Sequence, residues 1–380
     1  MRVRRTRMWT AVWGLLFLLD FAACGEEEES GLPPSVPVWS VAEQPVLQIG
    51  VLDGEDEYLF RSISAVRLLP AGGVVVADPG LSALRVYDAG GTFVVSVGRQ
   101  GEGPGEFSWL GYLDVRGDTV LVYDPSAHRL IEFMDDGRIL ETRQIKTTGG
   151  APELYVGTYS DGGAAFGAIR SIERDPVSAS SDQWTFGRYD LDGNLIRTLG
   201  TGAGYRRLGG RPVPFSANLH AFLLSDSIFY SDGRSPSINV LDDNGAVART
   251  LSVDIPFVDA KEAWKVLRAE LEEIGQLAFL DGVSAAAESE PIPWIAELLL
   301  DDVGRFWIKH FAPETDSWMV GGLLKARGGR WSIVHRDGTA VASIDLPAGL
   351  VPMDVRGDRI AGVEKDEMDV ERVVVYRILH

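Results

Sequence analysis

The feature that most restricts this chain is an internal repeat. Residues 74–107, VVVADPGLSALRVYDAGGTFVVSVGRQGEGPGEF, and residues 120–139, VLVYDPSAHRLIEFMDDGRI, follow one template. Asp78-Pro79 and Asp124-Pro125 stand 46 residues apart, as do Tyr87 and Phe133, and Gly91 and Gly137. Each unit reads as a strand ending in Asp, a short polar turn, a strand ending in an aromatic, a Gly-containing hairpin and a further strand. The apolar–polar alternation with β-branched residues is the period of half-buried β-structure. The hairpin recurs as RYDLDGNLIRTLG (188–200), NVLDDNGAVARTL (239–251) and VHRDGTAVASIDL (334–346). Its glycines, Gly91, Gly137, Gly193, Gly245 and Gly338, are separated by 46, 56, 52 and 93 residues. Asp-Gly and Asn-Gly suit tight hairpins because both accept positive φ. The doubled last interval marks an insertion.

Four-stranded units of 40–50 residues in series are the sequence form of a β-propeller. Blades fall at 61–98, 107–146, 152–200, 214–253 and 294–346. The tail, GLVPMDVRGDRIAGV and ERVVVYRIL, supplies three more strands and leaves its blade one short. Pro45–Gly50, an unpartnered strand near the N-terminus, completes that blade and removes an open edge. The fold expected for residues 40–380 is therefore all-β, a six-bladed β-propeller closed by an N-terminal strand, with seven blades only if the insertion hides one. The insertion itself, at 259–283, reads as a helix. Asp259 caps it with Glu262 three residues on, and Trp264, Leu267, Leu271 and Ile274 recur on one face. It serves either as a lid or docking helix beside the channel, or as packing on blade edges.

GRQGEGPGEF, residues 98–107, lies between strands and lacks the Gly-Lys-Ser/Thr ending of a phosphate loop, while Glu102 and Glu106 would repel a phosphate. Followed by VLVYD, HRLIEF and a DDG turn, it looks like an NHL-type repeat, and the whole chain resembles the six-bladed, TolB-like propellers found among bacterial lipoproteins. The family's usual Pro after Gly-Glu-Phe is replaced by Leu110 or Gly111. The resemblance implies a fold and leaves the activity open.

The N-terminus carries a second message. Arg2, Arg4, Arg5 and Arg7 precede an apolar run from Met8 to Leu19, and Phe21-Ala22-Ala23 leads to Cys24, the one cysteine. Charged, apolar, small, cysteine is the order that resembles a bacterial lipoprotein signal, which implies diacylglyceryl attachment at Cys24 and loss of residues 1–23. The alternative is an ordinary signal peptide or short anchor beside a buried thiol; the apolar run is short for a membrane span of about 20 residues. Residues 24–39, acidic and then Pro-rich, read as a tether. Gly25 and Glu26, with no Asp after Cys24, fit by that resemblance an outer-membrane protein facing the periplasm. Loss of the first 23 residues, with four Arg and one Asp, takes the net charge from −19 to −22. That charge argues against nucleic acid as a partner.

The chemistry is thinly marked. His128, His220, His310, His335 and His380 form no H-x-x-x-H or H-E-x-x-H motif, and no Gly-x-Ser-x-Gly elbow precedes a helix. Asp78, Asp124 and Asp232 each follow an apolar strand taken as innermost. They either line one rim of the channel and bind a cation or amine, or accept N–H bonds in the next turn. Arg85 and Arg129, at matching positions, are available to pair with them. His220 and His310 stand at strand ends, and Trp109, Tyr112, Tyr123 and Trp307 are aromatics suited to stacking on a sugar or peptide. These leave two functions in view. One is a non-enzymatic, lipid-anchored propeller of the envelope that binds a protein, peptide or glycan through Asp78, Asp124, Asp232, His220, His310 and Trp307. The other is a metal-dependent lyase or lactonase acting in the channel: gluconolactonase-like propellers hold a divalent cation there with Glu, Asn and Asp, and streptogramin-lyase-like or peptidyl-amide-lyase propellers use His with an acid or metal, though neither residue set maps onto this sequence.

Overall fold

A computed structural model describes residues 36–146, 152–170, 179–208, 211–212, 215, 218–273, 275, 277–280, 292–316 and 328–380. The signal segment 1–23, Cys24, most of the tether and Ile274 lie outside them.

The chain is a β-propeller. Four sheets are separate: Ala65–Leu68 to Phe93–Val97, Tyr112–Arg116 to Ile139–Gln144, Pro152–Thr158 to Arg211–Pro212, and His220–Leu224 to Val247–Ser252. A nine-stranded sheet holds the fifth and sixth blades. Leu47–Ile49 pairs antiparallel with the last strand, Glu371–Leu379, matching Leu47 to Val375 and Ile49 to Val373, and supplies the fourth strand of blade six. The sheet is continuous because Val38–Val41 pairs with the outer strand of blade five, Ala340–Leu346, on one side and with Glu371–Leu379 on the other. The strand begins at Val38, inside the stretch 24–39 expected as a tether. Trp39 is held edge-on to His380 at 4.2 Å and lies 6.1 Å from Trp307, so ring packing fixes the segment.

The five hairpin glycines all have positive φ, between 73° and 93°. The Asp that opens each turn satisfies the backbone locally; Asp88, for instance, accepts from the N–H groups of Gly90 and Thr92 at 2.9 and 2.8 Å. The Gly-rich run 98–107 joins blades one and two. Phe107 is fully buried between them among Leu84, Val97, Leu110 and Phe133. Gly98, at φ +100°, leaves no room for a side chain, because a Cβ there would lie 2.2 Å from the Phe107 ring. Gly98→Ala should therefore lower stability by about 2 kcal/mol, read as a fall in the urea midpoint, whereas Gly117→Ala, with open space around it, should cost less.

Three expectations about the blades need correction. The innermost strand of each blade is the first, since first strands of neighbouring blades approach one another around the ring. VVVAD and VLVYD are second strands, and SIFYS likewise. They are continuously buried because neighbouring blades cover both faces, whereas first strands such as Tyr112–Arg116 alternate. Blade three also runs beyond residue 200: Ala179–Tyr189 and Leu195–Leu208 pair along most of their length, with Gly202 and Gly204 against Trp184. Finally, the helix spans Ala260–Glu273, shorter than 259–283, with a single turn at Leu277–Leu280. Asp259 caps it through the Lys261 N–H at 2.8 Å. Its face of Ala263, Trp264, Leu267 and Leu271 packs on Phe215, Ile292 and Phe311.

Candidate functional site

The first strands of all six blades enclose one cavity of about 460 Å³. Blade one contributes Arg67, blade two Tyr112, Asp114 and Arg116, and blade six Met353 and Asp354. Blades three, four and five contribute Leu154 and Val156, His220 and Phe222, and Glu297 and Leu298. Phe215, Phe311, Lys309 and Asp316 close one end. Phe215 and Phe311 also carry the helix, which thereby backs the cavity wall.

Alternation in the first strands selects these side chains. In Tyr112–Arg116, Leu113 and Val115 are buried in the blade while Tyr112, Asp114 and Arg116 turn inward. The charged groups are held by hydrogen bonds that cross from blade to blade. Arg67 Nη1 donates to the Val66 carbonyl at 3.0 Å and to the Met353 carbonyl of blade six at 2.6 Å. Arg116 donates through Nε to Asp114 at 3.2 Å and through Nη1 to the Thr158 carbonyl of blade three at 3.2 Å. Arg356 Nη2 reaches the Val115 carbonyl of blade two at 3.4 Å. At the other end, Lys309 Nζ lies 2.5 Å from Asp316 Oδ2, and His220 Nδ1 lies 3.4 Å from Glu297 Oε1.

Asp354 accepts the Leu68 N–H at 2.7 Å, and burial pushes its carboxyl above the usual range against the opposing pull of Arg67. The neutral form's contribution to stability is thus complete below the unfolded pKa and is lost as pH rises through the folded value. Asp354→Asn should gain stability relative to the native chain as pH rises from about 4 to 7, measured by urea midpoints across that range; a gain that does not grow with pH would contradict the assignment.

Of the residues singled out in sequence, His220 and Tyr112 line the cavity. The rest are placed elsewhere. Asp78 and Asp124 are fully buried and tie down the segment that leads into their blade. Asp78 accepts from the N–H groups of Arg61 and Ser62 at 2.9 and 3.2 Å, and Asp124 from those of Ser108 and Trp109 at 2.7 and 3.3 Å. Asp232 accepts the Arg234 N–H in a turn. Arg129 lies 3.8 Å from Asp124, while Arg85 donates to the carbonyls of Glu57 and Leu59. A rim of carboxylates is therefore replaced by a set of turn anchors. Trp307 is not on a ligand face: its ring is fully buried and its Nε1–H donates to Asp301 at 3.0 Å. His310 bonds Ser332 Oγ at 2.8 Å, and burial holds its imidazole below the ordinary value. Tyr123 is buried, its hydroxyl donating to the Pro152 carbonyl at 2.7 Å, and Trp109 is 57% exposed. Among the described residues, no three His, Cys, Asp or Glu side chains are grouped to hold a metal ion.

Arg67, Arg116, Glu297, Lys309 and Asp354 escaped the sequence reading, although one signal was present. Asp-Val-Arg-Gly-Asp occurs twice, at 114–118 and 354–358, at the inner-strand ends of blades two and six.

The architecture and its walled cavity define a six-bladed propeller. Residues 49–156 match a family model described as "6-bladed beta-propeller". Similar solved structures, all at low identity, include three of bacterial proteins. One is a protein of Bacteroides fragilis provisionally described as exported, at 11% identity, 91% of this chain, 100% of that chain and a TM-score of 0.49. Another is virginiamycin B lyase from Staphylococcus aureus, at 10%, 88%, 98% and 0.41. The third is a gluconolactonase from Xanthomonas campestris, at 10%, 88%, 87% and 0.44. No curated protein matches the sequence.

Proposed function

We propose that this protein is a binding module of the cell envelope, tethered by lipid on Cys24 in the outer membrane facing the periplasm, that recognises a protein, peptide or glycan by taking part of it into the central cavity. The observation that carries this reading is the cavity wall. At about 460 Å³ it has the size of small-ligand sites, and its wall sets polar groups held by hydrogen bonds, such as Arg67, Arg116 and Asp354, beside apolar side chains such as Leu154 and Phe222. Each blade supplies part of the wall, so the ring itself is the scaffold that positions those groups.

Narrowing the cavity tests it. Leu154→Trp should abolish retention of co-purifying ligand in native mass spectra of the mature protein, while leaving the melting temperature within a few degrees of the native value. Equal retention in both proteins would remove the cavity from the function. For the tether, Cys24→Ser should leave an unprocessed, unlipidated precursor that keeps residues 1–23 and is seen by its higher mass, and normal processing of the variant would refute lipid attachment.

A further inference from the structure

The cavity is divided. Blades six, one and two are neighbours in the ring and carry arginine near the inner-strand end: Arg356, Arg67 and Arg116. Blades three, four and five carry none in their first strands, Pro152–Thr158, His220–Leu224 and Ile295–Leu300, and present Leu154, Phe222 and Leu298. One half of the wall thus holds both of its arginines, Arg67 and Arg116, beside Asp114 and Asp354, and the facing half sets Leu154, Phe222 and Leu298 beside His220 and Glu297.

The cations differ in what they have left to offer. Lys309 is fully buried against Asp316. A guanidinium has five N–H donors, and the bonds of Arg67, one within its own strand and one to blade six, occupy only Nη1, leaving Nε and Nη2 without a hydrogen bond among the described residues. Arg116 likewise retains Nη2, and its side chain is 36% exposed although its strand lies inside the ring. The bonds that bolt the strands also fix the two forks before any ligand arrives, which lowers the ordering cost of binding. Of the three arginines only Arg67 and Arg116 line the cavity, where they face two acids, Asp114 and Asp354, so an anion is recognised there through the unbonded guanidinium N–H groups and not through an excess of charge. A second negative charge on the ligand would be opposed by Glu297 across the cavity.

Resting on the reading of the cavity as a binding site, we propose that its ligand presents a carboxylate bearing an apolar substituent, the anion held by Arg67 and Arg116 and the hydrocarbon against Leu154, Phe222 and Leu298. Planar, bidentate pairing makes arginine suited to carboxylates. The group can be the C-terminus of a peptide or a free organic acid, and the same chemistry recognises both.

The test is calorimetric titration of the mature protein with two acids, N-acetylphenylalanine and hydrocinnamate, their neutral amides, and the cation phenethylamine. The acids should bind at least about tenfold more tightly than the amides, a difference of about 1.4 kcal/mol, and phenethylamine more weakly still. N-acetylphenylalanine binding the better would identify a peptide terminus, and hydrocinnamate a free acid. Arg67→Gln and Arg116→Gln should each erase the preference for acid over amide, whereas Phe222→Ala should weaken acids and amides alike. Because both arginines bolt strands, Arg116→Lys is the folding control, and it should keep part of the preference through its charge. Amides or phenethylamine binding as tightly as the acids, or arginine variants that retain the full preference, would overturn the carboxylate assignment and leave the cavity as the binding site. Failure of every probe, together with unchanged ligand retention by Leu154→Trp, would remove both.

Discussion

Ile49→Asp should destabilise the protein by about 4 kcal/mol and expose an edge that drives association. Ile49 is 2% exposed and packs with Leu47, Val66, Val74, Val373 and Val375 in the core shared by blades six and one. Substitution removes that burial and places a carboxylate among apolar side chains, which is among the few mechanisms that produce effects of this size. Gln48→Asp adds the same charge one residue away, on the exposed side of the same strand, and should change stability by less than about 0.5 kcal/mol. Denaturant midpoints separate the two, and gel filtration should show oligomers for Ile49→Asp through the uncovered strand Glu371–Leu379. Similar midpoints for the two variants would mean that the ring does not depend on its closing strand.

Asp316→Ala should cost about 3–5 kcal/mol, because it strands the ammonium of a buried lysine. The Lys309 side chain has no solvent exposure, and Asp316 Oδ2 both lies 2.5 Å from its Nζ and accepts the Ala312 N–H at 2.8 Å. Removing one partner leaves the other desolvated, whereas removing both exchanges the pair for hydrocarbon. The double variant Lys309→Met/Asp316→Leu should therefore recover most of the loss, and a denaturation cycle over the two single variants and the double measures the coupling. Additive effects would show that the two groups act independently.

Local signals carried the architecture. Hairpin glycines such as Gly91 and Gly137 report a backbone requirement that each turn imposes by itself, and Phe107 beside Gly98 marks the junction between blades. The closing strand was legible because Leu47 and Ile49 alternate with Gln48, and a blade short of one strand needs such a partner. The site was less legible. Trp307, which reads as an aromatic free to stack on a ligand, and Lys309 sit two apart on one side of FWIKH, yet both are buried. Asp78 and Asp124 were recognised as repeated acids, but their position in the second strand depends on which strand faces the axis, a matter of ring geometry. Arg67, Arg116 and Asp354 come together only after the ring closes; the repeated Asp-Val-Arg-Gly-Asp marks Arg116 and Asp354, and Arg67 leaves no such trace.

The strap formed by Val38–Val41 and Leu47–Ile49 has a consequence for the order of events in folding. Its partner strand is the last in the chain, and Arg372 reaches the Gly50 carbonyl across 322 positions. Contacts of such long range are slow to form. A folding chain carries Leu47–Ile49 from the outset, yet cannot use it until Glu371–Leu379 is in place. Blades one to four can assemble early from contacts within each repeat, while closure of the ring comes last. Until then blade six lacks its fourth strand, so the slowest contact to form is also the one that locks the circle.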